Sequence, residues 1–162
     1  MPNKINPDQT PTNPINAMDP GARHNARHYA VQALYQWQVN KTPAIELEAE
    51  FISHHIDKKV DLDYFKELIH GVQEQQQELD QAMQPYLGRL LQEIDPVELA
   101  VLRLATYELI KRPDVPYRVI INEALELTKT FGSIEGYKFV NGVLDRVAKK
   151  TRTDEINMTK HK

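Results

Sequence analysis

Hydrophobic residues recur at spacings of three and four along most of this chain, which is the period of amphipathic helices. In residues 22–40 that stripe consists of small alanines together with Leu34 and Trp37, so another helix can approach closely there. No segment shows the strict alternation of polar and apolar positions that an exposed strand requires. The pattern therefore predicts an all-α fold.

Capping signals predict where the middle helices begin. Thr42 and Pro43 are an N-cap followed by a first-turn proline, which is typical of a helix start. A third helix is expected from about Asp61 or Asp63, with a kink or an end at Pro85.

The clearest start signal is the string DPVE at residues 95–98. Asp95 can cap free backbone N–H groups, proline suits the first turn, and Glu98 completes a capping-box pattern. Further along, Gly132 fits a C-cap, and another helix is expected to begin near Glu135.

The predicted architecture is about six to seven helices in two packed three-helix bundles. We expect an N-terminal bundle with a basic first helix at residues 22–94 and a C-terminal bundle at residues 95–150. Residues 1–21 hold half of the ten prolines and almost no large apolar residues. Such a segment cannot bury enough apolar area to offset its ordering entropy, which predicts a disordered tail. Residues 151–162 are expected to form a second, basic disordered tail.

The formal net charge of −3 conceals a strong division along the chain. Residues 22–40 carry +2, residues 41–100 carry −8, and residues 101–162 carry +4. This division is compatible with a polyanion on one face and a basic partner on another. Solvated helices often carry a similar bias without any function.

Composition excludes several classes of protein. The chain has no cysteine, so it has no disulfide framework and no thiolate nucleophile or metal ligand. Its longest apolar run covers only residues 99–102, far below the roughly 20 residues of a membrane span. The N-terminus lacks the apolar stretch of a secretory signal, so we expect a cytoplasmic protein without a membrane segment.

Candidate chemistry is sparse. His24 and His28 have the i, i+4 spacing of a metal-binding pair, but no HExxH pattern or third ligand accompanies them. A solvated or RNA-facing histidine pair is the favoured interpretation. No glycine-rich phosphate loop is present either. We therefore expect no enzyme, no cofactor and no metal.

The chain resembles the NusB family through three strings that stand in the family's order: ARHYAVQALYQWQ, DVPYRVIINEALELTKTFG and YKFVNGVLDRVAKK. The strings PYLGRLL, ELAVLRLATYEL and DLDYFKELIHGV fit the same family. The resemblance covers residues 22–149. Similar domains also precede the catalytic domain of some rRNA cytosine methyltransferases. No Rossmann-type pattern follows here, which favours the free-standing factor.

The resemblance implies an all-helical protein that binds the boxA segment of nascent RNA together with NusE, a small-subunit ribosomal protein. It further implies assembly with other Nus factors and RNA polymerase, which suppresses termination, notably in ribosomal RNA operons. It implies no catalysed reaction and no cofactor. Some members form homodimers, and the sequence leaves this choice open.

By the same resemblance, Arg23, His24 and Arg27 fall on the family's arginine-rich start of the first helix. Histidine stands here where relatives can have arginine, and histidine is mostly uncharged near neutral pH. We therefore expect weaker RNA binding in isolation and a stronger dependence on pH and on the partner. A merely solvated helix start is the alternative, although positive charge there opposes the helix dipole.

Glu135, Lys138, Phe139 and Asn141 match the corner of the family fold that faces boxA. An aromatic side chain beside a lysine suits single-stranded RNA, since stacking contributes about 1–3 kcal/mol per base. Periodicity alone places Phe139 in register with Val143 and favours a core position, whereas the resemblance favours RNA.

Tyr35 and Glu98 match positions that the family uses against NusE. Helix capping is the competing explanation for Glu98, and a boundary position is the competing explanation for Tyr35.

The alternative to RNA-binding antitermination is a helical protein-interaction module without direct RNA binding. The acidic middle and the net negative charge support it. Binding to RNA that depends on sequence and on salt would distinguish the two.

Overall fold

A computed structural model describes residues 19–160, with only the backbone of residues 159 and 160. Within this range the chain is entirely helical, without strands, which confirms the predicted all-α class. None of these helices is long and apolar enough to cross a membrane. The helices are α1 (Pro20–Asn40), α2 (Ala44–His54), α3 (Leu62–Glu74), α4 (Gln76–Leu87), a 3₁₀ turn (Leu91–Glu93), α5 (Pro96–Lys111), α6 (Tyr117–Phe131), α7 (Ile134–Thr151) and α8 (Thr153–Lys160).

Side-chain caps explain where several helices begin. The Asp95 carboxylate accepts hydrogen bonds from the backbone N–H groups of Val97 and Glu98, at 2.8 and 3.3 Å, as the DPVE string predicts. Ser133 caps α7 in the same way, through its Oγ. The prediction for α2 is wrong by one residue, because Pro43 occupies the N-cap and makes no side-chain cap hydrogen bond.

The predicted third helix is two helices, which corrects the sequence interpretation. The chain leaves helical geometry at Gln75, so that α3 packs on α1, α2 and α5 whereas α4 packs on α5 and α7. Pro85 does not break the chain there, since it lies inside the last turns of α4. The helix ends at Leu87, and Gly88 follows in the left-handed region with a φ of 68°.

Two groups of three helices pack into one continuous hydrophobic core. Helices α1, α2 and α3 contact one another, as do α5, α6 and α7, and α1 joins the groups by packing along α5. The alanines of α1, Ala26, Ala30 and Ala33, have no exposed surface and allow this close approach. Helix α4 precedes the predicted boundary between residues 94 and 95, but it packs mainly on α5 and α7, which follow that boundary. The contacts between helices therefore do not divide the chain at that point. That boundary stays a prediction.

Helix α8 occupies most of the segment predicted to be a disordered tail, which is a second correction. The Arg152 guanidinium donates hydrogen bonds to the carbonyl oxygens of Glu108, Leu109 and Arg112, at 3.2, 2.8 and 2.8 Å. Glu155 accepts a hydrogen bond from the backbone N–H of Tyr117 at 3.0 Å. These bonds satisfy groups that the end of α5 and the start of α6 leave free, and they order the segment. Of the predicted N-terminal tail, residues 1–18 lie outside the described residues, while residues 19–21 cap and begin α1.

Candidate nucleic-acid and partner interface

Arg23 lies at the start of α1 with its guanidinium over the ring of Tyr64, 4.1 Å from the ring centroid. Its Nε is 3.5 Å from the Asp61 carboxylate, and its side chain is 22% exposed. The contact with Asp61 is longer than a good charge-assisted hydrogen bond, and Nε has no hydrogen-bond partner among the described residues. That Nε is itself buried, so any contact of Arg23 with an anion at the surface has to be made by the exposed part of its side chain.

Arg27, one turn later, is buried and does not reach the surface. Its guanidinium forms a two-pronged ion pair with Glu108, with Nε–Oε1 and Nη2–Oε2 distances of 2.9 and 2.8 Å. Burial alone would lower the pKa of Arg27, but the hydrogen bonds and charge of Glu108 raise it above its ordinary value. Tyr64 donates a further hydrogen bond to the same carboxylate. The structure thus gives Arg27 an internal ion pair in place of the predicted RNA contact.

The two histidines of α1 have different surroundings. The side chain of His24 is 45% exposed, and its Nδ1 lies 2.8 Å from the Glu123 carboxylate of α6. His28 packs against the ring of Phe131, with centroids 5.0 Å apart. Burial, helped by the charges of Lys58 and His24, lowers the pKa of His28. No cluster of three or more potential metal ligands lies anywhere in the described range.

The first turns of α7 form a corner with mixed exposure. Glu135, Lys138 and Asn141 are exposed, whereas Phe139 is half-buried and packs against the core. The two interpretations of Phe139 therefore describe different parts of one side chain, because the ring contacts the core and still reaches the surface. Ser133 fixes this turn through its hydrogen bond with the N–H of Gly136, at 3.0 Å.

Arg89 is a residue of this corner that sequence analysis missed. Its guanidinium lies over the Phe139 ring, 4.3 Å from the centroid. The two residues are 50 positions apart, and only the packing of α4 on α7 brings them together. The sole local signal is the glycine before Arg89, which ends α4.

Glu98 packs against the backbone of α7 and does not complete a capping box. A Cβ added to Gly136 would lie 2.3 Å from Oε2 of Glu98, so the carboxylate occupies the space that this glycine leaves open. Burial and the charge of Asp95 raise the pKa of Glu98, and the charge of Arg89 opposes this rise. A half-buried carboxylate of this kind gains from a basic partner that approaches it.

Tyr35 is 40% exposed on α1 and lines a groove of about 470 Å³. The groove is bounded mostly by α1 and α2, and Val97 reaches into it from α5. A hydrogen bond of 2.8 Å from the Gln38 side chain to the carbonyl oxygen of Pro96 joins the end of α1 to the start of α5. Tyr35 and Glu98, 63 positions apart, therefore lie near one another on one side of the molecule.

The predicted surface residues thus form three groups, of which two lie close together and the third lies apart. Glu98 contacts Gly136 of the α7 corner, so the candidate partner surface and the candidate RNA corner adjoin each other. Arg23 and His24 lie at the other end of α1 from Tyr35. No hydrogen bond, ion pair or ring contact within residues 19–160 joins them directly to the α7 corner.

Comparisons with known proteins agree with this architecture. A family model described as the NusB family matches residues 24–149. The transcription antitermination protein NusB of Pseudoalteromonas atlantica is 52% identical over 140 residues, which cover 86% of this chain and 100% of that protein. The protein of the same name from Pseudomonas fluorescens is 48% identical over 158 residues, which cover 97% and 95%.

Solved structures give the same result for the fold. T. maritima NusB aligns with a TM-score of 0.72 and 32% identity, over 83% of this chain and 96% of that chain. A chain from a crystal structure of the antitermination factors NusB and NusE in complex with dsRNA aligns with a TM-score of 0.71 and 26% identity, over 78% and 96%. Since the family model spans most of the chain and relatives share about half of its residues, this chain belongs to the NusB family.

Proposed function

We propose that this chain is a transcription antitermination factor that binds boxA RNA as a heterodimer with the ribosomal protein NusE. The observation that carries the proposal is the identity of about half of all residues with relatives named transcription antitermination protein NusB. A structural relative crystallised together with NusE and RNA supports both proposed partners.

The proposed RNA surface has two parts. Arg23 and His24 supply partly exposed cationic or hydrogen-bonding groups at the start of α1. Lys138, Phe139 and Asn141 supply a cation, a ring and an amide at the α7 corner, with Glu135 beside them. Arg27 supports the first part from inside, because its ion pair with Glu108 fixes α1 against α5.

The proposed NusE surface contains Tyr35, the groove beside it and Glu98. Tyr35 offers an exposed ring with a hydroxyl, a combination that is frequent at protein interfaces. Glu98 offers a carboxylate whose charge is poorly compensated in the free chain. A basic group of the partner would compensate it, so binding at Glu98 is expected to be electrostatically favourable.

The adjoining surfaces support a role as an assembly factor. We propose that the heterodimer joins other Nus factors and RNA polymerase in the cytoplasm and suppresses termination, notably in ribosomal RNA operons. We propose that the chain acts by binding and not by catalysis, since the relatives bear the names of antitermination proteins.

The deciding experiment is fluorescence anisotropy of a labelled boxA RNA, titrated with this chain alone and with purified NusE. A scrambled RNA of the same length is the control. We expect tighter binding to boxA when NusE is present, and a steep loss of affinity as salt rises. A heterodimer that binds both RNAs equally, or neither, would reject the proposal and favour the protein-interaction module.

A further inference from the structure

Arg89 is an exposed residue just after α4 whose guanidinium nevertheless has a defined position. It lies 4.3 Å from the centroid of Phe139, within the range of a cation–π contact. No ion pair or hydrogen bond within the described residues holds that guanidinium. Its recorded neighbours are the Phe139 ring and, through charge, the Glu98 carboxylate. Since neither is a direct ion pair or hydrogen bond, the long side chain is free to move when a competing ligand approaches.

Phe139 offers a ligand only part of its ring. The half-buried side chain packs against the hydrophobic core, and Arg89 lies over a ring face that the core does not cover. A nucleobase that stacks on this face of Phe139 therefore meets the Arg89 guanidinium. A guanidinium plane stacks on bases as well as on aromatic rings, so the encounter is attractive and not merely obstructive.

The backbone at Gly88 directs Arg89 to this position. Gly88 has a φ of 68°, in the left-handed region that residues other than glycine rarely adopt, and it ends α4. A Cβ at Gly88 would meet no atom within 4 Å, so the glycine is required by its backbone conformation and not by crowding. The turn thus brings the residue after α4 over the corner of α7.

We propose that Arg89 is a further RNA-binding residue, and that one unpaired nucleobase inserts between its guanidinium and the ring of Phe139. The inference rests on the proposed function and names a subsite within it. The exposed side chains of Lys138 and Asn141 flank this clamp on α7 and are placed to contact the adjoining phosphate and base edge. The ligand is single-stranded, because a paired and stacked base has no free face for the clamp.

Arg118 provides a matched control for the removal of Arg89. It is also an exposed arginine beside an aromatic ring, with its guanidinium 5.7 Å from the centroid of Tyr117. It lies at the start of α6, about 20 Å along the helix from the end that adjoins α7. Arg118→Ala therefore removes the same charge from a site away from the α7 corner, together with the 3.2 Å hydrogen bond that its Nε donates to the Tyr117 hydroxyl.

The test measures the affinity of the NusE-bound chain for labelled boxA RNA and for a series of RNAs with one abasic nucleotide at each position in turn. We expect Arg89→Ala to weaken binding about tenfold, since one stacked base contributes about that much, and Arg118→Ala to change it less than about twofold. With the RNA that is abasic at one particular position, Arg89→Ala should no longer reduce the affinity. Phe139→Leu should also no longer reduce the affinity for that same RNA.

Two results would overturn the clamp. One is an affinity that Arg89→Ala leaves unchanged or increases, because Arg89 would then only cover the ring. The other is a loss that persists at every abasic position, because Arg89 would then act as a charge alone. If wild-type chain fails to prefer boxA over scrambled RNA, the proposed function itself fails, and this outcome differs from both.

Discussion

The ion pair between Arg27 and Glu108 gives the sharpest test of how this fold is held together. Glu108 has no exposed surface and Arg27 is 3% exposed, and three hydrogen bonds of 2.8 to 3.1 Å join them. We consider the change Arg27→Met, which keeps an unbranched side chain of similar length and removes the charge. The Glu108 carboxylate then stays buried with the Tyr64 hydroxyl as its remaining close partner.

Breaking a buried pair on one side costs about 3–5 kcal/mol, because an uncompensated charge remains inside. A domain of this size has a free energy of unfolding of about 5–15 kcal/mol, so the variant loses a large part of its stability. At about 2–4 °C per kcal/mol, the expected decrease in Tm is about 6–20 °C. Burial and the Glu108 charge also raise the pKa of Tyr64, so this hydroxyl stays a donor throughout the accessible pH range.

The assay is urea denaturation followed by circular dichroism, on the wild type, Arg27→Met, Glu108→Leu and the double variant. The double variant replaces both charges by apolar groups and should regain most of the lost stability. The cycle should therefore yield a coupling free energy of at least about 2 kcal/mol, with an unchanged m value.

Two outcomes would refute the internal role of Arg27. The first is a loss below about 1 kcal/mol in Arg27→Met, which would mean that the pair is not effectively buried. The second concerns function, because a folded double variant should bind boxA RNA within about twofold of the wild type. A double variant with restored stability but abolished RNA binding would return Arg27 to the RNA surface.

Three further predictions concern the candidate interface and the end of the chain. Burial and the charge of Asp95 raise the pKa of Glu98 above its ordinary value of 4.5. Glu98→Gln should therefore increase the free energy of unfolding near pH 7, by less than about 1 kcal/mol, and this gain should disappear as the pH falls below about 4.5. NusE binding, measured by calorimetry, should weaken in the same variant; unchanged binding would remove Glu98 from the interface. Gly136→Ala should displace the Glu98 carboxylate and weaken NusE binding while helix stability is kept or rises, and the effect on binding should be absent in a Glu98→Gln background. Arg152→Met should lower the free energy of unfolding by about 2–4 kcal/mol, since buried carbonyls lose their donors. The control Arg146→Met, on the exposed face of α7, should change it by less than about 0.5 kcal/mol. Equal effects of the two substitutions would contradict the role of Arg152.

Local signals were sufficient for most of the helices and for one cap. The spacing of apolar residues and the DPVE string predict α5 and its Asp95 cap, because both depend on groups within a few residues of each other. The break at Gln75 has no such signal. It follows from the different neighbours of α3 and α4, and those neighbours come from distant parts of the chain.

In the candidate site, too, some features follow from neighbouring residues and others only from distant parts of the chain. Arg27 lies three residues before Ala30 and seven before Leu34, so the periodicity places it on the buried stripe, but nothing local identifies Glu108 as its partner 81 positions later. Arg89 and Phe139 likewise meet only through tertiary packing. Lys138 and Asn141 are exposed, as a contact with RNA requires, and their role in RNA binding stays a prediction from the resemblance.

The contacts of Arg152 and Glu155 also set an order of events during synthesis. The carbonyl oxygen of Leu109 accepts its hydrogen bond from Arg152, 43 positions later. The N–H of Tyr117 donates to Glu155, which is also made after α5 and α6. At about 5–20 residues per second, the ribosome adds those residues roughly 2 to 9 seconds after the end of α5. The junction between α5 and α6 therefore stays hydrated on the nascent chain. The junction can close only when α8 is made, so synthesis of α8, and not growth of the core helices, times this step of folding.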